Sequence, residues 1–373
     1  MRTEIYHSRY EYWLAGLLCL SGKKKIRLVE TVGGAEEIYR MKPEEIRKLP
    51  GLTEREKEKL EQERNLPEEK LEQMRAYCIR KDIRLILWQD SEYPARLKQI
   101  CSPPYGLYCR GKLPPESAPA VALVGARACS VYGRQIAEQA GYHLARRGVS
   151  VISGMAAGID GAGHRGALQA GGFSCGILGC GVDVCYPEAN RKVYEALSAR
   201  GGLISEYPPG TKPLARFFPQ RNRMISGLSD LVLVVEAREK SGALITADFA
   251  LEQGKEVYAV PGRVGDALSQ GTNRLIGQGA GIYLSWEDFQ KEMDLFPNFL
   301  ESCEKIKKLS LEKSERLVYS CLDLSPKNLD MLLAESMFSL PELMEILESL
   351  REKGCILEVY HNYYIRSEFS DFP

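Results

Sequence analysis

The stretch Phe218-Pro219-Gln220-Arg221-Asn222-Arg223-Met224-Ile225-Ser226-Gly227 sets two guanidinium groups and an amide directly before Ile225 and a run of small residues. An apolar run, Leu231 to Val235, follows closely. Guanidinium binds phosphate oxygens in a planar, bidentate way, and an asparagine amide reaches a base edge or a sugar hydroxyl. Such groups at the edge of a buried strand suggest a fixed anion site. Taken alone, Arg221 and Arg223 read equally well as a solvated turn.

Related chemistry recurs behind the other apolar runs. Gly125, Ala126 and Arg127 follow Ala120 to Val124, and Ser153, Gly154 and then Gly158, Ile159 and Asp160 follow Val149 to Ile152. Glu236, Lys240, Ser241, Gly242 and Thr246 follow Leu231 to Val235, and Pro261, Gly262 and Arg263 follow Glu256 to Val260, with Gly271-Thr272-Asn273 beyond. In open α/β sheets ligands bind outside the carboxyl ends of the strands, so these residues converge. Gly154 and Gly158 would bring backbone N–H groups to a helix N-terminus, and Lys240-Ser241-Gly242 opens a second helix in the same way. Arg127, Arg221, Arg223 and Lys240 supply positive charge, while Asn222, Ser153, Ser241 and Thr246 supply neutral hydrogen bonds. Together they suit several phosphates plus sugars or bases, although each glycine by itself is equally a tight turn.

Catalytic groups are sparse. His143 and His164 fall in helical patterns, and Asp160 sits where a helix begins, a sufficient structural reason for a carboxylate. Gly161, Gly163 and Gly166 match the dinucleotide spacing G-x-G-x-x-G literally, but the match starts inside the next helix rather than at the strand's turn. No G-x-x-x-x-G-K-[S/T] loop occurs.

The elements that would hold these residues alternate. Apolar runs at Ala120–Val124, Val149–Ile152, Phe173–Leu178, Leu203–Glu206, Leu231–Val235 and Glu256–Val260 are separated by helical patterns at Tyr132–Arg147, Gly158–Ala170 and Ser241–Gln253. Continuous apolar strands between helices predict a parallel sheet buried on both faces. The expected fold is therefore α/β: a Rossmann-like, doubly wound, mostly parallel sheet over residues 79–295. Residues 1–78 read as a small helical, SAM-like or helix-hairpin-helix-like domain, with Leu49-Pro50-Gly51-Leu52-Thr53 in the hairpin position. The second glycine of such a hairpin is absent, and Glu54, Glu56 and Glu58 follow, which favours packing over phosphate binding.

Residues 296–313 read as a linker, and 314–373 as a winged-helix domain. In the latter, Ser325-Pro326 should start one helix and Ser339 with Glu342 should form a capping box for the next. Gly354 should end that helix, and two strands should pair across His361-Asn362. The would-be reading helix carries Glu342, Glu345, Glu348 and Glu352 against Arg351 and Lys353, a face that repels phosphate and favours contact with protein.

The whole chain has 373 residues with 50 basic and 50 acidic side chains, so any nucleic-acid surface must concentrate its positive charge locally. The 11 cysteines include no Cys-x-x-Cys pair, and the four histidines are far apart. Cys175, Cys180 and Cys185 lack common zinc spacings, so reduced, mostly buried thiols and no metal are expected. No run of about 18 apolar residues occurs, and Glu4, Arg9 and Glu11 interrupt any apolar leader, so a cytoplasmic protein without a membrane span is expected.

The motifs resemble those of the DNA-processing protein A family (DprA, also called Smf). The resemblance rests on Asp90-Ser91-Glu92-Tyr93-Pro94 with Pro103-Pro104, on VALVGAR (121–127), SGMAAGID (153–160) and FFPQRNRMISGLSD (217–230), and on KSGALITADFALEQGKEVYAVPG (240–262) and QGTNRLI (270–276). It implies a protein without catalytic activity or cofactor. Such a protein binds single-stranded DNA, forms a homodimer through its Rossmann-like domain, displaces single-strand binding protein and loads RecA recombinase during natural transformation. By position it implies a DNA pocket of Arg127, Ser153, Gly154, Arg221, Asn222 and Arg223 with Lys240, Ser241 and Thr246 nearby, and Phe218 or Phe217 able to stack on a base. One departure is that Gly161 and Gly163 stand where the family usually has alanines, which should loosen that helix by roughly 1 kcal/mol per glycine. A competing class is a nucleotide-binding or nucleotide-hydrolysing Rossmann-like enzyme. Such enzymes resemble this domain but carry a Gly-Gly-x-Gly-Thr segment that Pro261-Gly262-Arg263 lacks.

Overall fold

The computed structural model describes residues 7–294, 312–322, 326–352, 355–360 and 362–366. It forms two compact units, residues 1–303 and 304–373.

Among the described residues, nine strands build the sheet of the first unit. They are β1 (Arg84–Leu87), β2 (Gly106–Gly111), β3 (Ala120–Val124), β4 (Ser150–Ser153), β5 (Ser174–Leu178), β6 (Gly202–Ser205), β7 (Leu231–Val234), β8 (Glu256–Ala259) and β9 (Gly281–Ile282). Their order is β1-β2-β6-β5-β4-β3-β7-β8-β9. The strands from β6 through β9 run parallel, while β1 and β2 add an antiparallel edge. Val121 of β3 lies opposite Val151 of β4 on one side and Leu231 of β7 on the other. The chain therefore leaves β3 in one direction and returns on its opposite flank, which opens a crevice at the strands' carboxyl ends.

Alternation along β3 separates two apolar layers. Ala120, Ala122 and Val124 belong to one core cluster, and Val121 and Leu123 belong to the other. The helices that cover the second layer approach unusually closely. A Cβ added at Gly166 would lie 1.9 Å from the Glu138 carbonyl oxygen, and one at Gly141 would lie 2.2 Å from that of Gly163. The glycines of the G-x-G-x-x-G match are thus packing positions in helix Ile159–Gln169, which presses on helix Val131–Arg146. The loosening expected from Gly161 and Gly163 is corrected by the same observation. A Cβ at Gly161 would strike the Asn190 amide at 2.8 Å, and one at Gly163 would strike Leu123 at 2.9 Å.

Among the described residues, six helices precede β1: Arg9–Gly16, Gly22–Val32, Ala35–Arg40, Pro43–Arg47, Glu54–Glu63 and Glu68–Arg80. Their buried Trp13, Leu14, Ile38, Ile46, Leu60 and Leu71 share one apolar cluster with Leu85 of β1, Tyr108 of β2 and Leu203 of β6. Thr53 and Glu56 form a capping box, and Lys24 Nζ reaches Glu56 Oε2 at 2.6 Å.

In the second unit, helices Lys313–Cys321, Leu329–Ser336 and Leu340–Glu352 pack with β10 (Lys327–Asn328), β11 (Ile356–Tyr360) and β12 (Tyr363–Arg366). The antiparallel order is β10-β12-β11, around Val318, Leu332, Leu343, Leu347 and Leu350. The helix expected from Ser325-Pro326 starts instead at Leu329. The Asn328 side chain caps it by accepting from the Met331 amide at 2.9 Å, while Lys327 and Asn328 pair with β12. Glu342 reaches back to the Ser339 amide at 3.0 Å, as a capping box requires. Ser325, Gly354, His361 and most of the expected linker lie outside the described residues.

Candidate functional site

The segment expected to be polar groups at a turn is an 11-residue helix, Phe217–Gly227. The apolar spacing of Phe217, Met224 and Ile225, all buried, secures it against the sheet. Helical periodicity advances about 100° per residue, so Arg221 and Arg223 diverge by about 200°. Phe218, Arg221, Asn222 and Ile225, spaced i, i+3, i+4 and i+7, line one wall of a cleft of about 590 Å³. Arg223 points away from it. Its Nη2 pairs with Glu206 Oε2 at 2.7 Å, its Nε donates to the Ser102 carbonyl at 2.9 Å, and its Nη1 to that of Gln220 at 2.9 Å. The expectation that Arg223 shares a pocket with Arg221 is corrected by helix geometry.

The cleft lies at the carboxyl ends of β3 and β7, the point where the strand order reverses. Residues 125–128 after β3 form one side, and Arg238 to Gly242 after β7 another. Arg127, Arg238 and Lys240 are exposed there. The Arg127 guanidinium lies 5.1 Å from the Phe218 ring centroid, a cation–π distance. Tyr186, 42% exposed, lines the cleft on the other side, its ring 5.7 Å from that of Phe218 at 30°. The choice between the two phenylalanines is thereby resolved in position. Phe217 is buried and stacked on Tyr207 at 4.2 Å, whereas Phe218 lines the cleft.

Arg221 lines the same cleft but is 4% exposed. Its Nη1 donates to the Gly154 carbonyl at 2.8 Å and to the Ile177 carbonyl, and its Nε approaches Asn222 Oδ1 at 3.3 Å. Burial lowers its pKa to about 10, while the nearby Asp160 acts in the opposite direction. Asp160 is buried in turn. Burial raises its carboxyl above the usual range, although Arg221 and the Ala156 and Gly154 amides oppose this.

This arrangement corrects the expectation of free amides after β4. Asp160 Oδ2 accepts from the Gly154 amide at 3.0 Å and the Ala156 amide at 3.3 Å, so the chain's own carboxylate fills the nest expected to hold phosphate. Asn190 braces the same loop, donating to the Met155 and Ala156 carbonyls at 2.9 and 2.8 Å. Ser153 is fully buried and its hydroxyl donates to the Leu123 carbonyl. Ser153 and Gly154 therefore support the cleft from behind and do not line it.

Asn222, 8% exposed, donates through Nδ2 to the Gly242 carbonyl at 3.0 Å and ties the helix carrying Arg221 to the start of helix Gly242–Glu252. Ser241 caps that helix, accepting from the Ala243 amide at 3.3 Å. Thr246, 1% exposed, lines the floor. Residue reading missed Arg238 and Tyr186. Arg238 had a signal, a basic residue in the loop after β7; Tyr186 had none, because a loop far along the chain carries it.

His164 is fully buried, its Nδ1 is 2.7 Å from Ser174 Oγ, and burial lowers its pKa to about 3, so it stays neutral away from the cleft. His143 stacks on Trp286 at 4.9 Å. The cleft thus combines three exposed cations, a buried and mutually compensating Arg221 and Asp160, and an aromatic surface. That chemistry suits a flexible polyanion bearing unpaired rings.

The profile of the family described as DNA recombination-mediator protein A matches residues 84–294. The DNA processing protein DprA of Bacillus subtilis (strain 168) is 40% identical over 225 residues, which cover 60% of this chain and 76% of that protein. Among solved structures, DNA processing protein A (DprA) from Streptococcus pneumoniae superposes with a TM-score of 0.66 at 31% identity, covering 77% of this chain and 99% of that one. DNA processing protein A from Helicobacter pylori, studied for its single-stranded DNA binding mode, gives a TM-score of 0.50 at 28% identity over 55% of this chain and 94% of its own.

Proposed function

Because the chain belongs to the DNA recombination-mediator protein A family, we propose that it binds single-stranded DNA in the cleft between β3 and β7. The observation that carries this reading is the exposed Arg127 guanidinium over Phe218, with Arg238 and Lys240 on the same cleft. Arg127, Arg238 and Lys240 contact backbone phosphates, joined by the amides at the Ser241-Gly242 helix start. Phe218 and Tyr186 stack on an unpaired base, which a duplex keeps within its own stack. Arg221, Asn222, Ser153, Gly154 and Thr246 hold the wall and floor in shape, and Arg223 anchors the helix from behind.

In this reading the protein is a mediator without catalytic activity. It acts in the cytoplasm as a homodimer, displaces single-strand binding protein and loads RecA recombinase onto incoming DNA during natural transformation. Residues 1–78 act as a SAM-like or helix-hairpin-helix-like packing domain. Residues 314–373 act as a winged helix whose Glu342, Glu345 and Glu348 favour protein over DNA.

The test is a gel-shift comparison of single- and double-stranded oligonucleotides at two salt concentrations. Preferential, salt-sensitive binding of the single strand that weakens on Lys240→Ala is expected; equal binding by wild type and Lys240→Ala refutes the site. Deleting residues 305–373 while measuring both DNA binding and RecA loading tests the tail, where loss of loading with retained binding is expected.

A further inference from the structure

One wall of the cleft is built from two loops. Residues 179–187, after β5, present Tyr186, and residues 206–216, after β6, present Pro213 and Ala215. The Gly181 amide donates to the Thr211 carbonyl at 3.0 Å, and the Gly210 amide donates to Asp183 Oδ1 at 2.8 Å and Oδ2 at 3.1 Å. Asp183 is thus the side chain that pins the second loop to the first. Its Oδ2 also accepts a hydrogen bond, at 2.8 Å, from the hydroxyl of Tyr77, 106 residues earlier in helix Glu68–Arg80. Tyr77 packs on the apolar cluster that contains Val182, with Val184 and Cys185 partly buried against it.

We propose that Tyr77 and Asp183 are positioning residues for nucleic-acid binding, through which the N-terminal helices brace the two loops that present Tyr186 to a bound base. This rests on the cleft being the single-strand site. Neither residue lines the cleft, so neither contacts the ligand. The brace acts on geometry: the carboxylate holds a backbone amide of one loop while the phenol holds the carboxylate. With the phenol removed, Asp183 keeps the Gly210 amide but loses its link to the helical segment, and the loop carrying Tyr186 gains freedom that must be lost again on binding.

The experiment measures binding of a fluorescent oligothymidylate to the full chain at several salt concentrations. Tyr77→Phe keeps the ring packing and removes only the hydroxyl. It is expected to weaken binding about fivefold, the size of one typical net hydrogen bond. The slope of log affinity against log salt stays at the wild-type value, because no cation is lost. Asp183→Asn is expected to behave alike, and the two changes together to cost less than the sum of each. In a Tyr186→Ala background Tyr77→Phe should have no further effect, an outcome that a general loss of stability would not produce.

Wild-type affinity for both Tyr77→Phe and Asp183→Asn overturns the brace, as does full additivity of Tyr77→Phe with Tyr186→Ala. Lys240→Ala and Arg127→Ala, run alongside, separate the two levels. If they weaken binding and Tyr77→Phe does not, the brace alone is wrong; if they too bind like wild type, the cleft reading is wrong and the brace falls with it.

Discussion

Arg127, Arg223 and Lys240 are three basic residues in family-like motifs, yet the structure places them differently, and under the proposed function salt dependence separates them. Arg127 and Lys240 are exposed in the cleft with Arg238, while Arg223 is spent on Glu206 and two carbonyls. Each phosphate neutralised on a single strand contributes about 0.7 to the slope of log affinity against log salt. If each of the three exposed cleft cations neutralises one phosphate, they should contribute a slope of about 2, or a loss of roughly 20-fold in affinity between 50 and 200 mM salt. Removing either Arg127 or Lys240 with alanine should reduce the slope by about 0.7 and the loss to roughly sevenfold.

Arg223→Ala should leave the slope unchanged. It should instead lower stability by about 3 kcal/mol, because Glu206 is left without its partner in a largely buried site. Fluorescence anisotropy titrations of an oligothymidylate across salt, with thermal unfolding of each variant, read both quantities. A drop in slope for Arg223→Ala equal to that of Lys240→Ala, with unchanged stability, would refute the division of labour drawn from the helix geometry.

Phe218→Ala should weaken single-strand binding by about 1–3 kcal/mol with an unchanged salt slope, whereas Phe218→Tyr should retain most of it, as titrations of the same oligonucleotide would show. Gly166→Ala should destabilise the fold by about 3 kcal/mol, since its Cβ would meet the Glu138 carbonyl at 1.9 Å. Gly265→Ala, with open space around it, should change denaturant stability by less than about 0.5 kcal/mol. Burial acts to lower the His7 pKa, but the Asp90 hydrogen bond at 2.8 Å and the Glu11 contact prevail and raise it to about 9. Because the folded value exceeds the unfolded 6.5, this stabilisation is complete below pH 6.5 and is lost as pH rises through about 9. The stability advantage of wild type over His7→Gln should narrow by up to roughly 3 kcal/mol across that window; a constant difference would show that His7 is not charged in the fold.

The parallel sheet was legible because its strands are short, continuous apolar runs. The apolar run Ala120–Val124 has the bounds of β3, and those of β4, β5, β6, β7 and β8 lie within one residue of their runs, whereas the two-residue β9 carries no apolar run that marks it. Burial on both faces leaves that signature in any single strand. The helix Phe217–Gly227 was not legible as a helix: Pro219 and the small residues at its end imitate a turn, and its stability comes from packing on the sheet. That omission placed Arg221 and Arg223 side by side when they face apart. The Gly154 amide was likewise expected to be free, because the carboxylate that takes it comes from Asp160, six residues further on.

Residue types and spacing by themselves determined the layered α/β architecture, the family, and the strand ends where cations and small residues collect. Those features are local, written in runs of a few residues whose burial demands are the same in any context. Tertiary structure alone decided which of the cations reach solvent, which aromatic ring faces the cleft, and that Tyr186 and Arg238 join it. These depend on where helices come to rest against the sheet and on which buried donors and acceptors find each other, a competition among groups far apart along the chain.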